Sequence, residues 1–95
     1  MNAVLMITER DNVATALEAI DRGREVRVGE TSIVAADMIP RGHKVAVRAI
    51  RAGEPVVKYG SPIGTASVDI AVGAHVHTHN VASTRGRGDL ASASR

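Results

Sequence analysis

The chain has 95 residues, no cysteine, Tyr59 as its one Phe/Trp/Tyr residue, and a formal net charge of +2 from 12 Lys+Arg against 10 Asp+Glu. A chain this short makes one domain around a small aliphatic core, burying roughly 60–70% of the surface its unfolded form exposes. Disulfides and thiolate metal sites are excluded. Base-stacking nucleic-acid modules are disfavoured for want of aromatic faces, and the arginines are scattered rather than gathered in a basic stripe.

The N-terminal stretch MNAVLMITERDN has too short an apolar run and no basic flank for a signal segment. No window approaches the ~20 apolar residues of a membrane span. The composition therefore points to a cytoplasmic protein with no membrane or nucleic-acid partner.

Ala3 to Ile7 reads as a short buried strand. Beyond it, Val13, Leu17 and Ile20 recur at helical spacing, with Asp11 as N-cap and Gly23 as stop, which predicts one short helix. From Glu25 onward the pattern changes to short β-branched runs broken by glycine and proline. EVRV and TSIVA flank Gly29-Glu30 as a hairpin, and HKVAVRAI, PVVKYG, SPIGTASVDI and HVHTHNV follow. The predicted fold class is mainly β (α+β), with six or seven strands and one helix near the N-terminus. An Ile-x-x-Gly-x-x-Val pattern at Ile20/Gly23/Val26, Ile50/Gly53/Val56 and Ile70/Gly73/Val76 reads as a repeated turn device that serves folding. The folded domain is placed at 1–82. Residues 83–95, too small and polar to bury a core, are read as a flexible basic tail or linker. Its Arg87-Gly88-Asp89 tripeptide is read as coincidence.

Two stretches can carry chemistry. GAHVHTHNVAS places His75, His77 and His79 at alternate positions, hence on one face of a strand. Neighbouring positions of this kind lie ~6.6 Å apart and the outer pair ~13 Å. Two adjacent imidazoles can therefore share an ion, but three on a straight strand cannot, and a third ligand must come from His43, Asp69, a partner chain or a substrate. A solvated strand face is the competing reading. In IPRGHKVAV, His43 and Lys44 emerge from a Pro40–Gly42 turn where they can meet an anion, or merely solubilise a surface loop. Tyr59 reads as packing. No nucleophile–base–acid set and no phosphate-cradling loop is visible, so the domain is not expected to catalyse alone.

Together, DNVA at Asp11–Ala14, GHK at Gly42–Lys44, KYG-x-x-IG at Lys58–Gly64 and HVH-x-HN at His75–Asn80 resemble the N-terminal SAF domain of the altronate/galactarate dehydratase family. The resemblance runs from about Val4 to Val81, and the histidine ending is similar to the altronate branch. It implies a SAF-type β-clip that works beside a large catalytic dehydratase subunit or region. That partner removes water from a sugar-acid substrate with a divalent metal, iron(II) foremost, with zinc or manganese as alternatives. The sulfolactate sulfo-lyase small subunit and a stand-alone metal- or anion-binding module are the alternatives for the chain itself. The resemblance further suggests His75, His77 and His79 as metal contacts and His43 with Lys44 as substrate-binding residues. Oligomeric state is left open, homo-oligomers included.

Overall fold

The computed structural model describes residues 3–83. The predicted tail from residue 84 onward, with its Arg-Gly-Asp tripeptide, lies outside them. Among the described residues there are nine strands and no helix, so none could cross a membrane as a helix.

The centre is an antiparallel sheet ordered β1 (Val4–Leu5), β2 (Val13–Ala16), β5 (Lys44–Ala46) and β8 (His75–Val76). Alternation along each strand sends neighbouring residues to opposite faces. Both faces here are apolar. Ala14, Ala16 and Val45 join one core cluster, while Val13, Ala46 and Val76 join the other. The sheet is thus a septum between two small cores. On one side lies the hairpin of β3 (Glu25–Val28) and β4 (Thr31–Val34), which buries Val26, Val28 and Ile33. On the other lies the sheet of β6 (Pro55–Lys58), β7 (Ser61–Ala66) and β9 (Val81–Ser83), which buries Val56 and Ala66.

This septum explains the one wrong element. The predicted helix near the N-terminus does not form; Val13–Ala16 is strand β2, paired with β1 and β5. A strand covered on both faces shows a continuous apolar run instead of alternation, and such a run is easily mistaken for helical spacing. Leu17, placed by that spacing on a buried helix face, is exposed, whereas Ile20 is buried in a bridge to Ile39.

The turn repeat is more extensive than the sequence reading found. A fourth copy stands at Ile39/Gly42/Val45, and each copy is preceded four residues earlier by a buried alanine: Ala16, Ala35, Ala46 and Ala66. All four glycines have φ between 86° and 91°. The N–H three residues after the residue that follows each isoleucine closes the turn, as from His43 to the Pro40 carbonyl at 3.0 Å. Copies pair reciprocally. Gly23 donates to Ala35 O and Gly42 to Ala16 O; Gly53 donates to Ala66 O and Gly73 to Ala46 O, all at 2.8 Å. Ile20 bridges Ile39, and Ile50 bridges Ile70. The first pair of copies builds one core and the second pair builds the other.

Asp11 and Asn12 fasten the β6–β7 hairpin to the septum. Asp11 is buried and caps no helix. Its Oδ1 accepts from the Gly60 N–H at 2.7 Å and the Thr8 hydroxyl at 2.8 Å, and its Oδ2 from the Ile7 and Thr8 N–H groups at 3.2 and 3.3 Å. Burial alone would raise its pKa, but these bonds to the charged form hold it at about 2. Asn12 accepts from Val57 N–H at 2.7 Å and donates to Pro55 O at 3.0 Å, bridging the point where the β6–β7 register shifts.

Candidate metal centre

Strand β8 is the short outer edge of the septum, and it pairs with β5 so that His75 lies opposite Val45 and Val76 opposite Lys44. His43 precedes β5 and His77 follows β8. Alternation puts His43, Val45, His75 and His77 toward one face and Lys44 and Val76 toward the other. The repeat does the positioning: His43 and His75 both occupy the short segment between a turn glycine and its buried valine, in copies two and four.

The three imidazoles of His43, His75 and His77 converge, with one ring nitrogen from each lying within 4.8 Å of the other two. His43 Nδ1 and His75 Nε2 are 2.8 Å apart, a hydrogen bond between rings. The rings stack, with centroids 4.1 Å apart for His43–His77 and 5.0 Å for His43–His75.

The expected ladder of three histidines on one strand is therefore replaced. The strand ends at Val76, and residues beyond it turn, so His79 is exposed and lies outside the convergent set, its ring tilted 5.3 Å from that of His75. Asp69, another candidate ligand, instead accepts the Ala52 N–H at 2.8 Å beside the Gly53 turn. Of the two residues paired as anion contacts, His43 joins the imidazoles, while Lys44 lines an open cleft of about 230 Å³ with Ile63, Val76, His77, Thr78 and Val81. Tyr59 is not packing: it is exposed at a hairpin tip with φ 56°, under the Lys58 ammonium.

Two residues that the sequence reading gave no role hold this geometry. Asn80 is buried; its Oδ1 accepts from His77 N–H at 3.0 Å and its amide donates to His75 O at 2.9 Å. An asparagine three residues after a histidine is the available sequence signal, since such side chains close turns on nearby backbone. Asp37 accepts the His75 N–H at 2.9 Å and ties the strand to the loop after β4. No local pattern announces Asp37, because it comes from 38 residues away.

Electrostatics favour the neutral form of the His75 and His77 rings. Desolvation, then the charges of His43, His79 and His77, lower the His75 pKa against an opposing effect of Asp37. Desolvation, then His43, Lys44 and His79, lower that of His77. Lys44 is likewise lowered, by partial burial and by Lys58. Neutral imidazoles offer lone pairs, which is what a borderline cation such as Zn²⁺ or Fe²⁺ requires. Bonds of about 2.0–2.1 Å put ligand nitrogens roughly 3.3 Å apart in a tetrahedral site, whereas the three ring nitrogens here lie within 4.8 Å of one another. Three protein nitrogens leave a coordination position for a non-protein ligand, the pattern of catalytic rather than structural sites.

Comparison with known proteins places the chain at the level of family. The family described as Altronate/galactarate dehydratase SAF domain matches residues 2–84. Altronate dehydratase of Bacillus subtilis (strain 168) is 44% identical over 80 residues, covering 84% of this chain and 16% of that protein. Altronate dehydratase of Escherichia coli (strain K12) is 49% identical over 70 residues, 74% of this chain and 14% of that protein. The (2R)-sulfolactate sulfo-lyase subunit alpha of Paracoccus pantotrophus is 53% identical over 47 residues, half of this chain and 70% of that subunit. The chain thus spans about one-sixth of the length of the altronate dehydratases it matches.

Proposed function

The chain belongs to the altronate/galactarate dehydratase SAF-domain family, and from that premise we propose that it is the small component of a hydro-lyase acting on a sugar acid. It works with a large catalytic dehydratase component in the cytoplasm. The observation that carries this reading is the convergence of His43, His75 and His77 at a sheet edge, beside an open cleft.

In this reading the three imidazoles hold a divalent cation, iron(II) in the first place, with zinc or manganese as alternatives. Bound there, such an ion supplies Lewis-acid stabilisation of developing negative charge on a substrate oxygen. The chain's own residues do the rest of what is asked of this component. Asn80 and Asp37 fix the strand and turn that orient the rings, and Lys44 adds a cation on the cleft side. The base that removes the proton α to the carboxylate belongs, in this reading, to the large component.

The relatives' own activities favour elimination from a hydroxy acid. The similarity to a sulfo-lyase alpha subunit, at 53% identity over 47 residues, supports a second reading in which sulfite rather than water leaves. The test mixes this chain with an altronate dehydratase lacking the matching N-terminal segment and follows 2-keto acid formation from altronate and sulfite release from sulfolactate. Activity restored by the chain and not by its His43→Ala variant is the expected result. Full activity of the large component without the chain overturns the reading.

A further inference from the structure

The septum has two outer edges, β8 and β1, and they are finished differently. At β8 the outward N–H and C=O are those of His75, and both are covered. Asp37 accepts the N–H at 2.9 Å, and the Asn80 amide donates to the C=O at 2.9 Å. Side chains that occupy an edge in this way keep a further strand from adding to it.

The β1 edge has no such cover. Leu5 lies opposite Thr15, Ala3 O accepts from the Leu17 N–H at 2.7 Å, and the Ile7 N–H donates to Asp11 at 3.2 Å. The backbone of Ala3, Leu5 and Ile7 is thus turned into the fold, and alternation turns the N–H and C=O of Val4 and Met6 outward. Among the described residues these outward groups have no hydrogen-bond partner. They border an open groove of about 170 Å³, lined by Val4, Leu5, Met6, Arg27, Val28 and Gly29. The run from Ala3 to Ile7 contains no charge and no proline, the usual guards of an edge. Leu5 and Ile7, on one side of the strand, are 43% and 52% exposed.

We propose that this edge pairs with β1 of a second copy of the chain, antiparallel about a two-fold axis at Leu5. Outward groups two residues apart are self-complementary in that arrangement. Val4 exchanges both ladder bonds with the second copy's Met6, and Met6 does so with its Val4. Leu5 then faces its own counterpart as a non-hydrogen-bonded pair, with Cα atoms ~4.5 Å apart, and each covers the other's exposed side chain. Ala3 meets the second copy's Ile7. A second copy fits because Ala-Val-Leu-Met-Ile is apolar in either direction about Leu5, so no charge is set against another. The pairing makes one continuous sheet from two septa. Its two ends carry the imidazole trios, both left open to a large component. The inference does not draw on the hydro-lyase reading, and either can fail without the other.

The chain has no cysteine, so a single introduced thiol reports the register. In the proposed pair, Leu5→Cys sets two thiols on Cα atoms within the range of about 4.4–6.8 Å that disulfides span. Under mild oxidation it should give mostly covalent dimer, while Val34→Cys, at least as exposed on β4, should stay mostly monomeric. Sedimentation of the unaltered chain should show a monomer–dimer equilibrium that moves with concentration. Met6→Pro removes an outward N–H that the protomer itself does not use, and Leu5→Lys sets like charges together at the axis. Each should raise the dimer dissociation constant about tenfold or more. Amide NMR of β5 and β8 reports whether each variant keeps its fold. A chain that stays monomeric at millimolar concentration, equal cross-linking of Leu5→Cys and Val34→Cys, or a dimer that either edge variant leaves intact overturns the proposal. So does a chain that is monomeric alone and whose β1 amides shift on addition of a large dehydratase component, an outcome that assigns the edge to that component instead.

Discussion

Replacing Asp11 by Asn should expose how much one buried carboxylate contributes. The substitution keeps the shape but exchanges an acceptor oxygen for an NH2 group that faces N–H donors. Asp11 accepts four hydrogen bonds, from Ile7, twice from Thr8, and from Gly60 of the β6–β7 turn. Its pKa is held at about 2 against an ordinary value of 3.8. At about 1.4 kcal/mol per pKa unit, that difference corresponds to about 2 kcal/mol of stability. Because the folded pKa is depressed, the contribution is fully present above pH 3.8 and is lost as pH falls through about 2. Loss of an acceptor for a buried N–H adds about 1–3 kcal/mol that does not depend on pH. Urea denaturation of the wild type and of Asp11→Asn at pH 7, 3 and 2 measures both parts. The gap between the two proteins should be about 3–5 kcal/mol at pH 7 and should narrow by about 2 kcal/mol toward pH 2. A gap that stays constant with pH would refute the charge-assisted account of this residue.

Other outcomes follow from the same contacts. Gly73→Ala should cost about 2–4 kcal/mol, read as a fall in Tm of roughly 10 °C or more, because an added Cβ runs into the Val34 carbonyl as well as straining a φ of 87°. Gly42→Ala, with the same backbone but open space around it, should cost only about 1 kcal/mol in the same melt. Ile20→Ala and Ile39→Ala should each cost about 2–5 kcal/mol, and the double variant should cost less than their sum, since the two residues bridge each other. Asn80→Ala should weaken metal binding by about 10- to 100-fold at unchanged 1:1 stoichiometry, because it frees the turn joining His75 to His77.

Much of this fold could be read from the residues, and the failures have physical causes. Gly29-Glu30 announced its hairpin, and the β3–β4 register places Val28 opposite Thr31 as a two-residue turn requires. Val13 to Ile20 misled because a strand covered on both faces carries no alternation. The sequence reading gave the turn repeat in three copies; the fourth, at Ile39/Gly42/Val45, carries Pro40, His43 and Lys44 at its variable positions. That copy brings His43 beside His75. His75 and His77 were recognised as neighbours. Their third partner was legible only as one of several candidates, since pairing of β5 with β8 is a contact 32 residues apart in the chain. His79 was included because strand alternation was extended past Val76, where the Asn80-closed turn ends it.

The direct test of the central proposal is titration of the isolated chain with cobalt(II), followed by its visible absorption. One ion per chain should bind, with binding lost in His43→Ala and in His77→Ala and retained in His79→Ala. Retention of the spectrum in His43→Ala, or its loss in His79→Ala, would mean that the imidazoles gather around the ion in some other combination than the one described.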